Sequence, residues 1–237
     1  MFPKVSEDVL IPLEWIEAAQ ERWKSFHPST RDYGKIGVDV AGMGRDCSVF
    51  CYRYGNYVSH FDKHNSGGKA DHMKIAGKVK HDVTSDNHVV AYIDTIGEGA
   101  GVYSRCEEQG LGNRVISCKY SEAAKINNKP LRDITGQIEF GNMRAYLFWA
   151  VRDWLDPKNN TGAMLPSGGT LAEEATEIKW FFRSDGKIMI EKKEDIKERL
   201  GHSTDEFDAL ANTFYPKSGI FTVSNEELDA IEEDLEY

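Results

Sequence analysis

The sequence has no apolar run that approaches the ~20 residues of a bilayer span. Its N-terminus carries no basic stretch leading into an apolar core, so no secretory leader is expected. Cysteine is scarce, four in 237 residues, and no CxxC pair occurs. Cys47, Cys51, Cys106 and Cys118 are therefore expected to be reduced, buried thiols of a cytoplasmic protein. Seven His and four Cys make no zinc spacing. A GxxxxGK[ST] loop is absent, which excludes a Walker-type ATPase within this chain. No Pro/Ser/Gly-rich linker divides the chain and no repeat recurs in it. One sizeable α/β domain is expected.

Base is also in deficit: 29 Lys and Arg against 39 Asp and Glu, a net charge of -10. The last stretch, Asn225 to Tyr237, holds Glu226, Glu227, Asp229, Glu232, Glu233, Asp234 and Glu236 and no base. It reads as a solvated acidic tail, placed at 221–237. Net charge alone does not exclude a nucleic-acid partner, because bound cations reverse the local sign of an acidic site.

Three strands are expected over Lys35–Val40, Cys47–Tyr54 and Tyr57–Phe61, with a tight turn at Gly55-Asn56. Val89–Asp94 is apolar up to its last residue, as a buried parallel strand is, and Val115–Tyr120 is a fifth strand. Helices are expected over Asp71–Lys80, Gly99–Gln109, Leu171–Thr176, Lys193–Leu200 and Thr204–Phe214. Another is expected over Asn142–Leu155, where Met143, Leu147, Val151 and Trp154 share an apolar face. Trp15, Ile16, Ala19 and Trp23 give the N-terminal region, 1–30, one amphipathic helix. Lys63–Lys69 and Lys125–Gly141 read as loops, and Asp185-Gly186 as a hairpin turn. Three antiparallel strands followed by parallel ones, with helices on both faces, is the order of the ribonuclease H-like mixed α/β fold.

Asp39 interrupts an apolar strand, where an unpaired charge is costly to bury. Asp94 ends another strand. Asp205 and Asp208, at i and i+3, share one helix face. Separate segments thus each deliver carboxylate to a regular element, which suits hard divalent ions such as Mg²⁺ or Mn²⁺. Two such ions about 4 Å apart serve phosphodiester hydrolysis. Asp39 is the candidate to bridge both, Asp94 to hold one, and Asp208 with Asp205 the other. Read singly, Asp39 and Asp94 also suit turn-fixing strand ends, and Asp205 suits an ordinary helix start. His202 is an accessory candidate, as ligand or proton carrier, and reads equally as a surface His. Asp46 is expected to fix the Gly-rich turn after the first strand. Gly97-Glu98-Gly99-Ala100-Gly101 reads as a close-approach turn beside the acids. Lys119, Lys125, Lys129, Arg144 and Arg152 are candidate phosphate contacts, each also an ordinary solvated base.

Four stretches carry a resemblance. They are Gly37-Val38-Asp39-Val40-Ala41-Gly42-Met43-Gly44-Arg45-Asp46, Tyr92-Ile93-Asp94-Thr95-Ile96-Gly97-Glu98-Gly99-Ala100-Gly101-Val102, Asn142-Met143-Arg144-Ala145 and Asp205-Glu206-Phe207-Asp208-Ala209-Leu210-Ala211. Together they resemble the nuclease domain of tailed-phage large terminase subunits. Ile11-Pro12-Leu13-Glu14-Trp15-Ile16 is similar to that family's linker helix. The resemblance covers most of Val9 to Pro216. It implies a nuclease domain at 31–220, preceded by a linker from an ATPase motor that this chain lacks. Asp39, Asp94 and Asp208 match the family's metal-binding acids; Asp205 matches a position that varies in kind. The implied activity is divalent-metal-dependent cleavage of concatemeric double-stranded DNA in the infected bacterium's cytoplasm. The implied partners are DNA, the motor domain, the small terminase subunit and the portal. A RuvC-like resolvase of branched DNA shares the last motif, and a non-catalytic docking domain is the third reading.

Overall fold

The computed structural model describes residues 8–26, 33–42, 47–65, 67 and 71–216. The turn role expected of Asp46 and the acidic tail lie outside these residues. The N-terminal helix is α1 (Leu13–Ser25). Strands β1 (Gly34–Asp39), β2 (Cys47–Tyr54) and β3 (Tyr57–Asn65) follow. Then come α2 (His72–Ser85), β4 (Val89–Asp94), α3 (Gly99–Glu108) and β5 (Val115–Cys118). A short hairpin, β6 (Lys125–Ile126) and β7 (Lys129–Pro130), precedes α4 (Met143–Leu155) and α5 (Leu171–Glu177). A second hairpin, β8 (Trp180–Phe182) and β9 (Ile188–Ile190), leads into α6 (Lys193–Leu200) and α7 (Asp205–Asn212).

The main sheet has the order β3-β2-β1-β4-β5. β1 and β2, and β2 and β3, run antiparallel; β1 and β4, and β4 and β5, run parallel. This is the expected ribonuclease H-like order. Strand alternation gives the sheet a core on each face. Ile36 and Val38 join Phe50, Ile93, Ile75, Val79 and Val102 beneath α2 and α3. On the other face Val49, Cys51 and Tyr92 pack with Leu147, Phe148, Phe207 and Leu210 of α4 and α7. All four cysteines are free thiols; Cys51, Cys106 and Cys118 are buried and Cys47 is half-buried.

Two departures from expectation have plain causes. β3 runs on to Asn65, because Lys63, His64 and Asn65 pair with Val49, Ser48 and Cys47. The segment expected as loop at Lys125–Gly141 holds β6 and β7, turned by Asn127 and Asn128 at positive φ, a conformation Asn tolerates better than most residues. The segment before α1 joins the same core. Leu10, Ile11, Ile16 and Ala19 are fully buried, and Leu10 N–H donates to Ile178 O at 2.8 Å.

The feature that places the site is Gly37. It faces α7, and a Cβ there would lie 1.8 Å from Ala209 O. Only glycine lets the helix backbone rest on the strand. Asn212 Nδ2 donates to Val38 O at 3.0 Å, and Arg53 Nη2 donates to Thr213 O at 2.9 Å. The far end of α7 is thereby fixed to β1 and β2.

Candidate active site

Strands β1 and β4 run parallel with Val38 opposite Ile93, so Asp39 and Asp94 leave the sheet side by side at its carboxyl edge. That edge is where open α/β sheets place their ligands. α7 packs over β1 and β2 with Asp205 and Asp208 both in its first turn. Asp39 is 8% exposed and Asp208 3%; Asp94 and Asp205 are half-buried. Residues 94, 205 and 208 are near enough to 39 for their charges to act on it.

Their charges act on one another. Burial, then the facing charges of Asp208, Asp205 and Asp94, push the Asp39 carboxyl well above its usual range, against the pull of Lys193. Burial lifts Asp94 to about 6, opposed first by the Ile96 N–H, which donates to its Oδ1 at 3.0 Å. A cation among them is Lys193, the first residue of α6. Its Nζ donates to Asp208 Oδ2 at 2.8 Å. Asp208, with Asp39 and Asp205 beyond it, holds the Lys193 ammonium protonated far above its ordinary range. Thr204 Oγ1 donates to the same Asp208 oxygen at 3.0 Å, and the Tyr120 hydroxyl donates to Asp208 O at 3.2 Å.

Sequence reasoning missed Lys193 and Tyr120. A signal for Lys193 exists: a cation in the first turn of a helix opposes the macrodipole and calls for an acidic partner. Tyr120 carries no local signal; it reads only as a strand end. The Gly97–Gly101 turn is the close approach expected of it. A Cβ on Gly99 would lie 1.9 Å from Asp94 O, and Gly97 has φ +94°.

The candidate bases divide. Arg144 donates from Nη1 to Glu191 O at 2.6 Å, and its charge acts on Asp94. Its Nη2 is buried without a hydrogen-bond partner. Arg152 lies over the rings of Trp149 and Trp15, at 4.5 and 5.1 Å. Lys119 pairs with Glu122 at 3.2 Å on the surface. Lys125 and Lys129 are exposed on the β6–β7 hairpin. His202 Nδ1 lies 2.8 Å from Ser203 O, and Nε2 lies 3.9 Å from Glu173. A cavity of about 260 Å³ lies elsewhere, between Asp133, Ile134, Tyr146, Trp149 and Asp153, and none of the four acids lines it.

Among the described residues, no group of three or more His, Cys, Asp or Glu side chains stands ready to hold a metal ion. The donor set nonetheless fits one in charge and chemistry. It consists of hard carboxylate oxygens, crowded until one of them resists ionisation, with the Lys193 ammonium inserted. Among the described residues, no helix is long and apolar enough to cross a membrane.

No family model matches the sequence. No curated protein matches it either. Solved structures do. The nuclease domain of the large terminase subunit gp2 of bacterial virus Sf6 is 22% identical, with a TM-score of 0.70 over 88% of this chain and 100% of that one. A lysine-to-alanine mutant of the Sf6 domain with calcium is 23% identical, with a TM-score of 0.68 over the same shares. The large terminase nuclease from thermophilic phage G20c with bound magnesium is 16% identical, with a TM-score of 0.50 over 79% of this chain and 82% of that one. The chain therefore has the ribonuclease H-like fold of the phage large-terminase nuclease domains.

Proposed function

We propose that this chain is a divalent-metal-dependent endonuclease that cuts concatemeric double-stranded DNA during phage genome packaging. The observation that carries the reading is that Asp39, Asp94, Asp205 and Asp208, from two strand ends and one helix, act on one another and on the Lys193 ammonium. The fold shared with terminase nucleases supports it.

Asp39, Asp94, Asp208 and Asp205 would be the carboxylates that hold the Mg²⁺ or Mn²⁺. When bound, the ions supply Lewis-acid stabilisation of the attacking and leaving oxygens. The chain's own residues prepare the place. The sheet edge and α7 fix the carboxylates before any ion arrives. Lys193 keeps the acids from repelling one another in the metal-free protein. Arg144, whose charge acts on Asp94, would be the phosphate contact nearest the acids. Phosphate contacts of this kind position DNA without reading its sequence.

In this reading α1 is the connection from a motor domain. The small terminase subunit and portal are the other partners, and the setting is the cytoplasm of the infected bacterium. The test is nicking and linearisation of supercoiled plasmid with Mg²⁺, Mn²⁺, Ca²⁺ or EDTA. Cleavage with Mn²⁺ is expected, abolished by Asp39→Asn and by Asp208→Asn. Cleavage that persists in EDTA would overturn the mechanism.

A further inference from the structure

Behind the acid cluster lies a second pair of buried carboxylates. Glu174 of α5 is 1% exposed and Glu206 of α7 is 2% exposed. Each of their four oxygens has a partner. Glu174 Oε2 accepts from Phe207 N–H at 2.8 Å, and its Oε1 accepts from the Thr170 hydroxyl. Glu206 Oε2 accepts from Thr170 N–H at 2.8 Å, and its Oε1 lies 2.7 Å from Lys63 Nζ of β3. The turn at Gly169, with φ +72°, closes on Glu206 so tightly that a Cβ there would lie 2.3 Å from Oε1.

The arrangement answers a problem at the start of α7. Thr204 is its N-cap residue, yet the Thr204 side chain makes no capping bond. Its hydroxyl is turned to Asp208 Oδ2 instead. A helix start deprived of its cap leaves N–H donors unpaired. Glu174 reaches in from α5 and takes one of them. Two buried acids are a costly way to stabilise a core, where apolar residues of similar volume serve as well or better. What they add is direction. Residues 206 and 207 are held from α5, from the Gly169 turn and from β3. Asp205 precedes them and Asp208 follows, so neither flanking acid shifts without breaking these bonds.

We propose that Glu174 and Glu206 are positioning residues that lock the first turn of α7, and so present Asp205 and Asp208 to the metal ions in register with Asp39 and Asp94. The proposal rests on the nuclease reading above.

The experiment compares wild type, Glu174→Ala, Glu174→Gln and Lys63→Met. It measures Mn²⁺ binding by calorimetry without DNA, thermal melting, and plasmid cleavage. Glu174→Ala is expected to melt within about 5 °C of wild type while binding Mn²⁺ about tenfold more weakly, as for lost outer-shell support. Glu174→Gln, whose amide oxygen still accepts from Phe207 N–H, is expected to restore both binding and cleavage. Lys63→Met is expected to weaken Mn²⁺ binding in the same direction. A Glu174→Ala protein that melts lower but binds Mn²⁺ like wild type would show that the pair serves only stability, and the proposal would fall. If Glu174→Ala does not fold, Lys63→Met decides, and unchanged Mn²⁺ affinity there overturns the proposal. Wild type that binds Mn²⁺ beside variants that bind equally well sinks the proposal alone. Wild type that binds no Mn²⁺ sinks the nuclease reading and the proposal with it.

Discussion

Replacing Lys193 with alanine separates two roles that one ammonium plays. In the metal-free protein Lys193 neutralises a carboxylate that is almost fully buried; the Asp208 side chain is 4% exposed. Removing one partner of a fully buried pair costs about 3–5 kcal/mol. The Lys193 side chain, however, is 45% exposed. Water reaches it and screens part of the pair, so a discounted loss of about 1–2 kcal/mol is expected for Lys193→Ala in EDTA. The same ammonium sits where a divalent cation would be drawn. Its removal frees Asp208 and takes away a competing charge. The same 1–2 kcal/mol, moved to the binding side, is an affinity gain of about 5- to 30-fold. Saturating Mn²⁺ is then expected to return the variant's melting temperature to that of wild type or above it, through linkage. Thermal melting with and without Mn²⁺, beside calorimetric titration of DNA-free protein, reads both effects. A variant that loses stability in EDTA and also binds Mn²⁺ more weakly would refute the reasoning. Lys193 would then be a scaffold for the acids and not a stand-in for the ion.

Further outcomes follow from the same geometry. Burial and like charge raise Asp39 and Asp94, the latter to about 6, and burial raises Glu174 to about 7. The native state therefore keeps protons that the unfolded chain releases from about pH 4 upward, and stability falls as pH rises through that window. Carboxyls held low, such as Asp62 and Asp133, act in the opposite sense but only at more acid pH. Unfolding free energies from urea titration in EDTA are thus expected to be lower at pH 8 than at pH 5, by on the order of 2 kcal/mol. A flat or rising profile would contradict the crowding of the acids. Asp39→Asn is expected to raise the metal-free melting temperature while abolishing cleavage, because a neutral amide removes the cost of either protonating or burying an ionised carboxyl at that crowded place; a lower melting temperature in EDTA would argue that the Asp39 carboxyl is well accommodated there. Gly37→Ala is expected to cost about 3 kcal/mol or more, because its methyl meets Ala209 O on rigid backbone. Denaturant unfolding checks this, and a nearly neutral result would mean that α7 does not rest on β1.

The elements were legible in the sequence because each depends on neighbours. Val89–Asp94 is apolar to its last residue, and the strand is found at those bounds. Met143, Leu147, Val151 and Trp154 repeat at helical spacing and all are buried in α4. Asp185-Gly186 turns the β8–β9 hairpin, with Gly186 at φ +80°. Asp39 and Asp94 stood out for a local reason as well, being acids at the ends of apolar strands. The continuation of β3 past Phe61 is polar and carries no strand signal of its own, being held by pairing with β2 rather than by burial.

The site depended on more than neighbours. Sequence alone determined which acids sit on which elements, because hydrophobic period and turn chemistry act over a few residues. Only the tertiary structure decided that the acids meet. Sheet order places β4 beside β1 across the intervening strands and helix, and the missing side chain of Gly37 lets α7 settle over both. It also decided what stands among the acids. Lys193 comes from a helix with no local relation to Asp39 or Asp94. Glu174 caps α7 from 33 residues away. A buried charge is tolerated only where partners from distant segments converge on it, and that convergence belongs to the fold rather than to any stretch of the chain.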